Sequence, residues 1–256
     1  MGDVVGSPGR EVLKRCVALL REQHHIDACI ANGENAAGGF GLTGQTAQEM
    51  FDSGVDFITG GNHIFDKRDF AEYLETSARV IRPANYPPSA PGRGAGTFTA
   101  NGVTFAVLNL MGRTFMPPVD DPFRCADAHL PELQAQTPIV IVDVHAEATS
   151  EKVALGRYLD GRVSCVVGTH THVQTADEQI LPGGTAYLSD LGMTGPTEGI
   201  IGMEAKAVLD RFLTGLSERF SVQRNGSRQF CGAVVTIDPS SGKANEIKRI
   251  FLKGIA

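Results

Sequence analysis

Two histidines separated by one residue, His170 and His172, are the part of this sequence that most clearly suggests chemistry. They follow a run of apolar and small residues, 163–167, which predicts a buried strand leading into Gly168. If the backbone stays extended there, residues two apart project to the same side, and each imidazole could bind one ion of a metal pair. Taken alone, such a motif is more often a pair of polar residues at the surface.

Polar residues of compatible types follow several other predicted strands. Each of the following stands at the end of an apolar run: Glu34-Asn35, Asn62-His63 and His145, with Asp3 completing the set if a strand end precedes it. Sites in open α/β sheets form outside the carboxyl ends of strands, so these residues could converge although they are distant in sequence. Imidazole, carboxylate and amide oxygen suit Mn, Fe or Zn, and suit neither calcium nor a thiolate zinc site. Singly, each could be a turn or surface residue; together they predict a metal site.

A glycine-rich segment, residues 39–44, matches the G-x-G-x-x-G pattern of dinucleotide-binding proteins. That pattern requires a glycine loop tight against its strand and an acidic residue that ends the next strand. Here Glu34-Asn35 and two alanines intervene, and the next strand ends in Gly-Gly-Asn-His. The mismatch argues against NAD binding, and we expect the glycines to let the backbone pass close to the metal site.

Helical periodicity and apolar runs predict the elements that position these residues. Helices are predicted at 7–23, 43–53, 66–76, 149–159 and 203–213. Strands are predicted at 26–31, 55–59, 80–81, 97–99, 103–110, 139–144, 163–167, 185–188, 230–237 and 247–252, with a hairpin turn at Asn101-Gly102. Residues 111–135 show little periodicity and predict a long loop with at most one short helix. The β/α alternation followed by consecutive strands predicts mixed sheets covered by helices.

Length and composition indicate one ordinary globular domain over residues 1–256. Hydrophobic residues make up 42% and charged residues 20%, which allows a substantial core. The formal net charge of −6 argues against a long nucleic acid as partner, but not against a small phosphate compound. Five dispersed cysteines without C-x-x-C indicate reduced thiols in a cytoplasmic protein. No apolar run approaches the ~20 residues of a transmembrane helix, so no membrane partner is expected.

The order of these motifs resembles the calcineurin-like metallophosphoesterase superfamily, and more closely its bacterial YmdB-like phosphodiesterase branch. The motifs that carry the resemblance, which extends over nearly the whole chain, are Gly2-Asp3-Val4-Val5-Gly6-x-Pro8-Gly9-Arg10, Glu34-Asn35-x-x-Gly38-Gly39, Gly61-Asn62-His63, His145-Ala146-Glu147-Ala148-Thr149-Ser150-Glu151-Lys152 and Gly168-x-His170-x-His172. The resemblance implies a four-layer α/β/β/α sandwich of two mixed sheets flanked by helices. It also implies a dinuclear metal site and hydrolysis of small phosphodiesters, such as 2',3'- or 3',5'-cyclic nucleotides.

The resemblance further implies a role for each site residue. One ion would be held by Asp3, Glu34 and His172, and the other by Glu34, Asn62, His145 and His170, so that Glu34 bridges them. A hydroxide between the ions would attack phosphorus, and His63 would protonate the leaving oxygen as general acid. Asn35 would orient a phosphate oxygen or act as a further ligand. The two ions would be Fe or Mn, with Zn or Mg as alternatives.

Some positions depart from the family pattern. Val5 stands where the superfamily has a histidine, Glu34 where it has a bridging aspartate, and Ile64 where an acidic residue often follows Gly-Asn-His. Asp66 is then the candidate partner of His63. The apolar strand that precedes Gly-Asp in the branch is absent, which predicts either a clipped or misassigned N-terminus or a poorly anchored Asp3.

Substrate contacts are less determined by the sequence. Phe115 and Phe123 could stack on a nucleobase, and Arg113 or Arg124 could bind phosphate, although filling the core or the surface is the more common role of such residues. Two other functions remain open: a phosphomonoesterase, and a non-catalytic regulator that binds a nucleotide in the same pocket. The expected partner is a small phosphodiester substrate, and a homo-oligomer remains open.

Overall fold

This computed structural model describes residues 1–255, in which strands and helices alternate at first and several strands follow one another toward the end. The helices within these residues are α1 (Gly6–His24), α2 (Gly44–Asp52), α3 (Phe70–Thr76), α4 (Pro122–Gln136), α5 (Thr149–Tyr158) and α6 (Ala205–Thr214). The strands are β1 (Asp3–Val4), β2 (Ile30–Asn32), β3 (Phe57–Thr59), β4 (Ala95–Ala100), β5 (Val103–Met111), β6 (Val140–His145), β7 (Cys165–Thr169), β8 (Gln179–Ile180), β9 (Ala186–Leu188), β10 (Met193–Pro196), β11 (Arg228–Ile237) and β12 (Ala244–Ile255).

The strands form two large mixed sheets. One has the order β4-β5-β6-β7-β9-β8, in which β5, β6, β7 and β9 are parallel and the edge strands β4 and β8 are antiparallel. The other has the order β1-β10-β11-β12. The parallel pair β2-β3 lies beside β1, because the amino group of Met1 donates to the Ile30 carbonyl and the Asn32 N–H donates to the Met1 carbonyl.

Helices cover the outer face of each sheet, and the inner faces pack against one another. Leu13 of α1 and Phe70 of α3 belong to one core with residues of β1, β2 and β3. Leu130 of α4 lies in a second core against the six-stranded sheet. Between the sheets, Val167 and Leu188 pack with partly buried residues of β11 and β12. This arrangement confirms the predicted four-layer α/β/β/α sandwich.

The prediction of a long loop over residues 111–135 is wrong for its second half, which is helix α4. Oδ1 of Asp121 accepts hydrogen bonds from the N–H groups of Phe123 and Arg124 and so caps the helix. Pro122 occupies the first turn, where a proline needs no backbone donor. The helix also contains Pro131 in its interior, and this second proline gives the segment the composition of a loop.

Several other boundaries differ from the predicted ones. β2 begins at Ile30 instead of residue 26, and α3 begins at Phe70 instead of residue 66. The predicted strand at 80–81 is only an isolated bridge between Val80 and Ile58. The short strands β1, β8 and β10 were not predicted. The hairpin across Asn101-Gly102 is confirmed by the pairing of β4 with β5.

Asp3 is firmly held in the sheet. β1 pairs in parallel with β10, with Asp3 opposite Met193, and the Asp3 N–H donates to the Gly192 carbonyl at 3.0 Å. The preceding N–H of Gly2 donates to the Cys231 carbonyl at 3.2 Å. The Asp3 side chain is fully buried. The alternative of a poorly anchored Asp3 is therefore wrong.

Two further sequence predictions concern the chain as a whole. All five cysteines are free thiols, and Cys16, Cys165 and Cys231 are buried, as expected for reduced core residues. Across residues 1–255, no helix combines the length and the apolar composition needed to cross a bilayer.

Candidate metal centre

Six side chains from five strand ends converge in one pocket. They are Asp3 of β1, Glu34 after β2, Asn62 after β3, His145 at the end of β6, and His170 and His172 after β7. Their strands pair in parallel with neighbours, so the carboxyl ends lie at the same edge of the sandwich. Asp3, Glu34 and His145 are buried, whereas the other three are partly exposed. The structure therefore brings together all six residues predicted as ligands.

The first group of potential ligand atoms surrounds Nε2 of His145. Oε1 of Glu34 lies 3.1 Å from this atom, Oδ1 of Asn62 lies 2.9 Å from it, and Nδ1 of His170 lies 3.0 Å from it. The ligand atoms of Glu34, His145 and His170 all lie within 4.8 Å of one another. Ligands at about 2.1 Å from one ion are separated by about 3 Å in an octahedral shell. These spacings therefore suit the coordination of a single cation.

The second group lies between Asp3 and His172. Nε2 of His172 is 3.8 Å from Oδ1 of Asp3 and 3.2 Å from Nδ2 of Asn35. Nδ1 of His172 is 2.8 Å from the Ile201 carbonyl, which leaves Nε2 directed at the pocket. Nδ2 of Asn35 also lies 3.1 Å from Oε1 of Glu34. Oε1 of Glu34 thus contacts His145 of the first group and the Asn35 amide, which in turn contacts His172 of the second.

The two asparagines present different atoms to the pocket. Asn62 turns its carbonyl oxygen toward His145, as a metal ligand would. Asn35 turns its NH₂ group toward the carboxylates of Asp3 and Glu34. An NH₂ group donates and cannot coordinate a cation, so this orientation suits Asn35 as a donor to a substrate oxygen.

The backbone at the His-x-His motif is not extended, contrary to the sequence prediction. The φ angles are 103° at His170 and 65° at His172, both in the region that favours glycine. The resulting turn sends the two rings to different halves of the centre, His170 toward His145 and His172 toward Asp3. Each imidazole thus faces a different group of ligand atoms, although not through the alternation of a strand.

A buried polar network behind the pocket fixes the ring of His145. Its Nδ1 lies 2.9 Å from Oγ1 of Thr169, which donates in turn to Asp143 at 2.8 Å. Oδ2 of Asp143 accepts from the Thr59 hydroxyl and from the Asn32 amide. With Nδ1 engaged, Nε2 of His145 is left for a metal ion. The sequence analysis did not identify this network. Its signal in the sequence is Asp143, an acidic residue inside the apolar run 139–144, because a buried carboxylate needs hydrogen-bond partners.

In the metal-free centre, Glu34 and His145 form a buried ion pair. Burial opposes the charge on Glu34, but the charge and hydrogen bond of His145 outweigh it and lower the Glu34 pKa to about 2. Burial also opposes the charge on His145, yet Glu34 raises the His145 pKa to about 9. Burial, aided by the nearby positive His145, lowers the pKa of His170 to about 3. Burial raises the pKa of Asp3 to about 6, partly offset by neighbouring histidines. An incoming cation must therefore displace a proton from His145.

His63 adjoins the centre and is tied to it by its backbone. Its N–H donates to Oε2 of Glu34 at 2.9 Å. Its ring Nδ1 lies 2.8 Å from Oδ2 of Asp66, so the sequence's candidate partner does contact it. The ring of Phe40, carried by the glycine-rich loop 39–44, packs edge-on against the imidazole at 4.9 Å between centroids. His63 is thus held on two sides beside the ligand groups.

The loop after β5 starts beside the centre. The N–H of Gly112 donates to the His145 carbonyl at 3.0 Å. The carboxylate of Glu151 accepts hydrogen bonds from the N–H groups of Arg113 and Thr114. Phe115 follows with a φ of 61° and is 88% exposed. The loop therefore presents an aromatic ring to solvent three residues after Gly112, whose N–H contacts the His145 backbone.

The other substrate candidates have structural contacts of their own. The Arg113 guanidinium pairs with Asp121 at 2.9 Å, at the start of α4. Phe123 packs edge-on against Tyr158 of α5. Arg124 is exposed on the first turn of α4, where its N–H contributes to the helix cap. These contacts do not bring the three side chains into the ligand groups.

Comparison with known proteins finds relatives along nearly the whole chain. The sequence pattern of the YmdB-like protein family matches residues 1–250. A 2',3'-cyclic-nucleotide 2'-phosphodiesterase of Bacillus subtilis (strain 168) is 50% identical over 252 residues, covering 98% of this chain and 95% of the relative. The crystal structure of a hypothetical protein from Thermus thermophilus has a TM-score of 0.92 at 42% identity, covering 99% of this chain and 97% of that one. The crystal structure of a novel phosphatase from Mycoplasma pneumoniae has a TM-score of 0.91 at 33% identity, covering 98% and 91%.

Proposed function

Because this chain belongs to the YmdB-like protein family, we propose that it is a metal-dependent hydrolase of small phosphodiesters, with cyclic nucleotides as its substrates. The observation that carries this proposal is the convergence of carboxylate, amide and imidazole side chains from five strand ends in one pocket, with Glu34 against His145 and Asp3 against His172. The Bacillus subtilis relative is named for 2',3'-cyclic nucleotides, which favours this class over 3',5'-cyclic nucleotides.

The side chains present fit a pair of cations. Asp3, Glu34 and His172 would hold one ion, and Glu34, Asn62, His145 and His170 would hold the other. This set of imidazole, carboxylate and amide oxygen atoms suits Fe or Mn, with Zn or Mg as alternatives. When bound, such a pair neutralises charge on the phosphate oxygens and lowers the pKa of the water that attacks phosphorus.

His63 is the proposed general acid. Its Nδ1 is held by Asp66, so Nε2 is the atom that carries a proton to the substrate. During hydrolysis the water oxygen bonds to phosphorus, one P–O bond to the ribose breaks, and the proton of Nε2 passes to that ribose oxygen. The attacking water releases one proton to solvent, and Nε2 of His63 regains its proton from solvent, so that the net reaction adds one water across the P–O bond.

Asn35 and Phe115 are the proposed substrate contacts. The NH₂ group of Asn35 lies between the two ligand groups and would donate to a non-bridging phosphate oxygen. Phe115 would stack on the nucleobase, since its ring is exposed on a loop that begins at the His145 backbone. The ion pair of Arg113 with Asp121 steadies the same loop, so the guanidinium is assigned to the loop and not to the phosphate.

Turnover separates this function from its alternatives. Purified protein with added Mn²⁺ would be given 2',3'-cyclic AMP, 3',5'-cyclic AMP, bis-p-nitrophenyl phosphate and p-nitrophenyl phosphate. We expect diesters to be hydrolysed faster than the monoester, and the 2',3'-cyclic ester fastest. Faster turnover of the monoester would indicate a phosphomonoesterase. Binding of cyclic nucleotides without turnover would indicate a regulator.

A further inference from the structure

The turn between the two candidate ligand histidines has to be held in its conformation by its surroundings. Positive φ angles at His170 and His172 are uncommon for residues with a side chain and persist only where neighbouring contacts fix them. The two rings face different ligand groups, so Thr171 between them sets the distance from one group to the other. Contacts that hold Thr171 therefore help to position the two histidines, beside the bond from the His170 N–H to Oδ2 of Asp3 and the contact of His172 Nδ1 with the Ile201 carbonyl.

Thr171 is held by the carboxylate of Asp190, which lies in the connection between β9 and β10. Oδ2 of Asp190 accepts from the Thr171 N–H at 3.2 Å and from the Thr171 hydroxyl at 2.8 Å. Oδ1 accepts from the Gly192 N–H at 2.7 Å, and the Gly192 carbonyl accepts from the N–H of Asp3 at 3.0 Å. One carboxylate thus joins the turn that carries two ligand candidates to the strand that carries a third.

Lys152 of α5 supplies the countercharge. Its Nζ lies 2.7 Å from Oδ2 of Asp190, and both side chains are only 2% exposed. Taking two charges out of water offsets most of their attraction, so a buried pair adds little stability compared with two apolar side chains. The presence of this pair is better explained by the position that it gives to the Asp190 carboxylate. A Cβ on Gly168, two residues before His170, would meet Cδ of Lys152 at 2.9 Å, so the lysine stem also lies against β7.

We propose that Asp190, paired with Lys152, is a positioning residue that sets the separation of the two cation sites. This inference rests on the proposed function, because it presupposes that the six converging side chains bind metal. Loss of the carboxylate charge releases Thr171, lets the turn relax toward ordinary φ angles and moves His172 relative to Asp3. Residues that orient metal ligands from outside typically change metal affinity about 10- to 100-fold when replaced.

Calorimetric titration of the metal-free full chain with Mn²⁺ tests the proposal. We expect wild-type protein to bind two ions and the Asp190→Asn variant to bind at least one of them about 10- to 100-fold more weakly. Thr171→Val, which removes the hydroxyl and keeps the N–H, should weaken binding in the same direction by less. Lys206→Met, which breaks an exposed ion pair with Asp210 on α6, is the matched control and should bind like wild type.

A second readout reports the separation directly. The magnetic coupling between two bound Mn²⁺ ions, measured by electron paramagnetic resonance, should change in Asp190→Asn and stay unchanged in Lys206→Met. Wild-type affinity and coupling in Asp190→Asn, with only a lower melting temperature, would mean that Asp190 merely stabilises the fold and would overturn the proposal. If that variant fails to fold, wild-type affinity in Thr171→Val would reject the proposal instead. Wild-type protein that binds fewer than two ions would contradict the proposed function itself.

Discussion

Nδ1 of His63 lies 2.8 Å from Oδ2 of Asp66, while the backbone N–H of the same histidine donates to Oε2 of Glu34. The carboxylate fixes Nδ1 as the donor and leaves Nε2 as the position from which a proton can be given or taken. The backbone bond ties this imidazole to the buried carboxylate that contacts His145. The proposed proton donor and the proposed bridging ligand are therefore directly joined by a hydrogen bond.

Replacing His63 should slow catalysis without emptying the centre. For His63→Ala we expect kcat on 2',3'-cyclic AMP to fall by ~10²–10⁴, the usual contribution of a general acid, while the metal content persists. Asp66→Asn should cause a smaller fall, because the imidazole stays but loses its fixed tautomer. Metal analysis and steady-state kinetics on the same preparations check both. His24→Ala on α1 is the control and should behave like wild type. Parallel loss of metal in His63→Ala would reassign this residue as a ligand.

Glu34→Gln should abolish phosphodiester hydrolysis in a protein that remains folded. The amide keeps the shape of the side chain, but it removes the negative charge that would serve two cations at once. Turnover, metal content and circular dichroism measured together separate loss of function from loss of structure. Glu49→Gln, which disturbs a partly exposed pair with Arg10, is the matched control and should retain activity. Turnover near the wild-type value in Glu34→Gln would refute the bridging role.

Gly61→Ala should block cation binding by steric means alone. Gly61 has no positive φ, so its backbone accepts alanine, but the new Cβ would clash with Oε2 of Glu34 and Nε2 of His145. We expect bound Mn²⁺ to be lost in a protein that still folds, with a lower melting temperature in the metal-free state because the new Cβ displaces the Glu34–His145 pair. The control is Gly96→Ala in β4, where the closest atom to the new Cβ, on the Phe57 ring, is 3.3 Å away. Two tightly bound ions in Gly61→Ala would show that the ligand groups lie elsewhere.

Most of the residues that converge at the centre could be found from the sequence because they follow a short apolar run; Asp3, which has no such run before it, could be assigned only through the family resemblance. The residue type is visible there, and parallel strands bring their carboxyl ends to one edge. The Asp190 carboxylate could not be found in this way. It reaches Thr171 only because the connection between β9 and β10 passes next to the end of β7, which is a consequence of tertiary packing and not of any local pattern.

The backbone conformation at the His-x-His motif also could not be predicted from the sequence. An extended His170–His172 segment is the default after a strand, but here both histidines have positive φ angles, and Thr171 between them donates hydrogen bonds to the distant Asp190. Helix α4 shows the same limit, because Pro131 in its interior resembles a loop signal until the Asp121 cap and the buried Leu130 are seen. Predicting whether a segment is a helix or a loop from its composition fails where tertiary contacts override local propensity.

Metal affinity should rise with pH, because a proton on His145 competes with the cation. Glu34 holds the His145 pKa at about 9, above its ordinary value of 6.5. Between pH 7 and pH 9 we expect Mn²⁺ affinity to increase roughly tenfold per pH unit, with about one proton released on binding. Calorimetry in buffers of different ionisation enthalpy counts that proton. Affinity that does not change over this range would contradict the buried ion pair.

The ion pair between Glu34 and His145 also predicts how the stability of the metal-free protein changes with pH. The pKa of His145 is higher in the folded protein than in the unfolded chain. The stabilisation of the fold by protonated His145 is therefore complete below pH 6.5 and is lost as the pH rises through about 9. The melting temperature of metal-free protein should therefore fall across this window. Excess Mn²⁺ should remove the fall, since the bound cation replaces the proton as the partner of Glu34.

Phe115→Ala should weaken the binding of substrates that carry a base. Stacking of a base on an aromatic ring is worth about 1–3 kcal/mol, so we expect KM for 2',3'-cyclic AMP to rise by roughly 5- to 150-fold with kcat little changed. Glycerol cyclic phosphate has the same kind of cyclic diester without a base, and its hydrolysis should be unaffected. Phe212→Ala removes a similarly exposed ring on α6, 81% exposed, and serves as the control. An equal change for both substrates would mean that Phe115 shapes the loop instead of contacting the base, since only a stacking contact distinguishes a nucleotide from a bare cyclic phosphate.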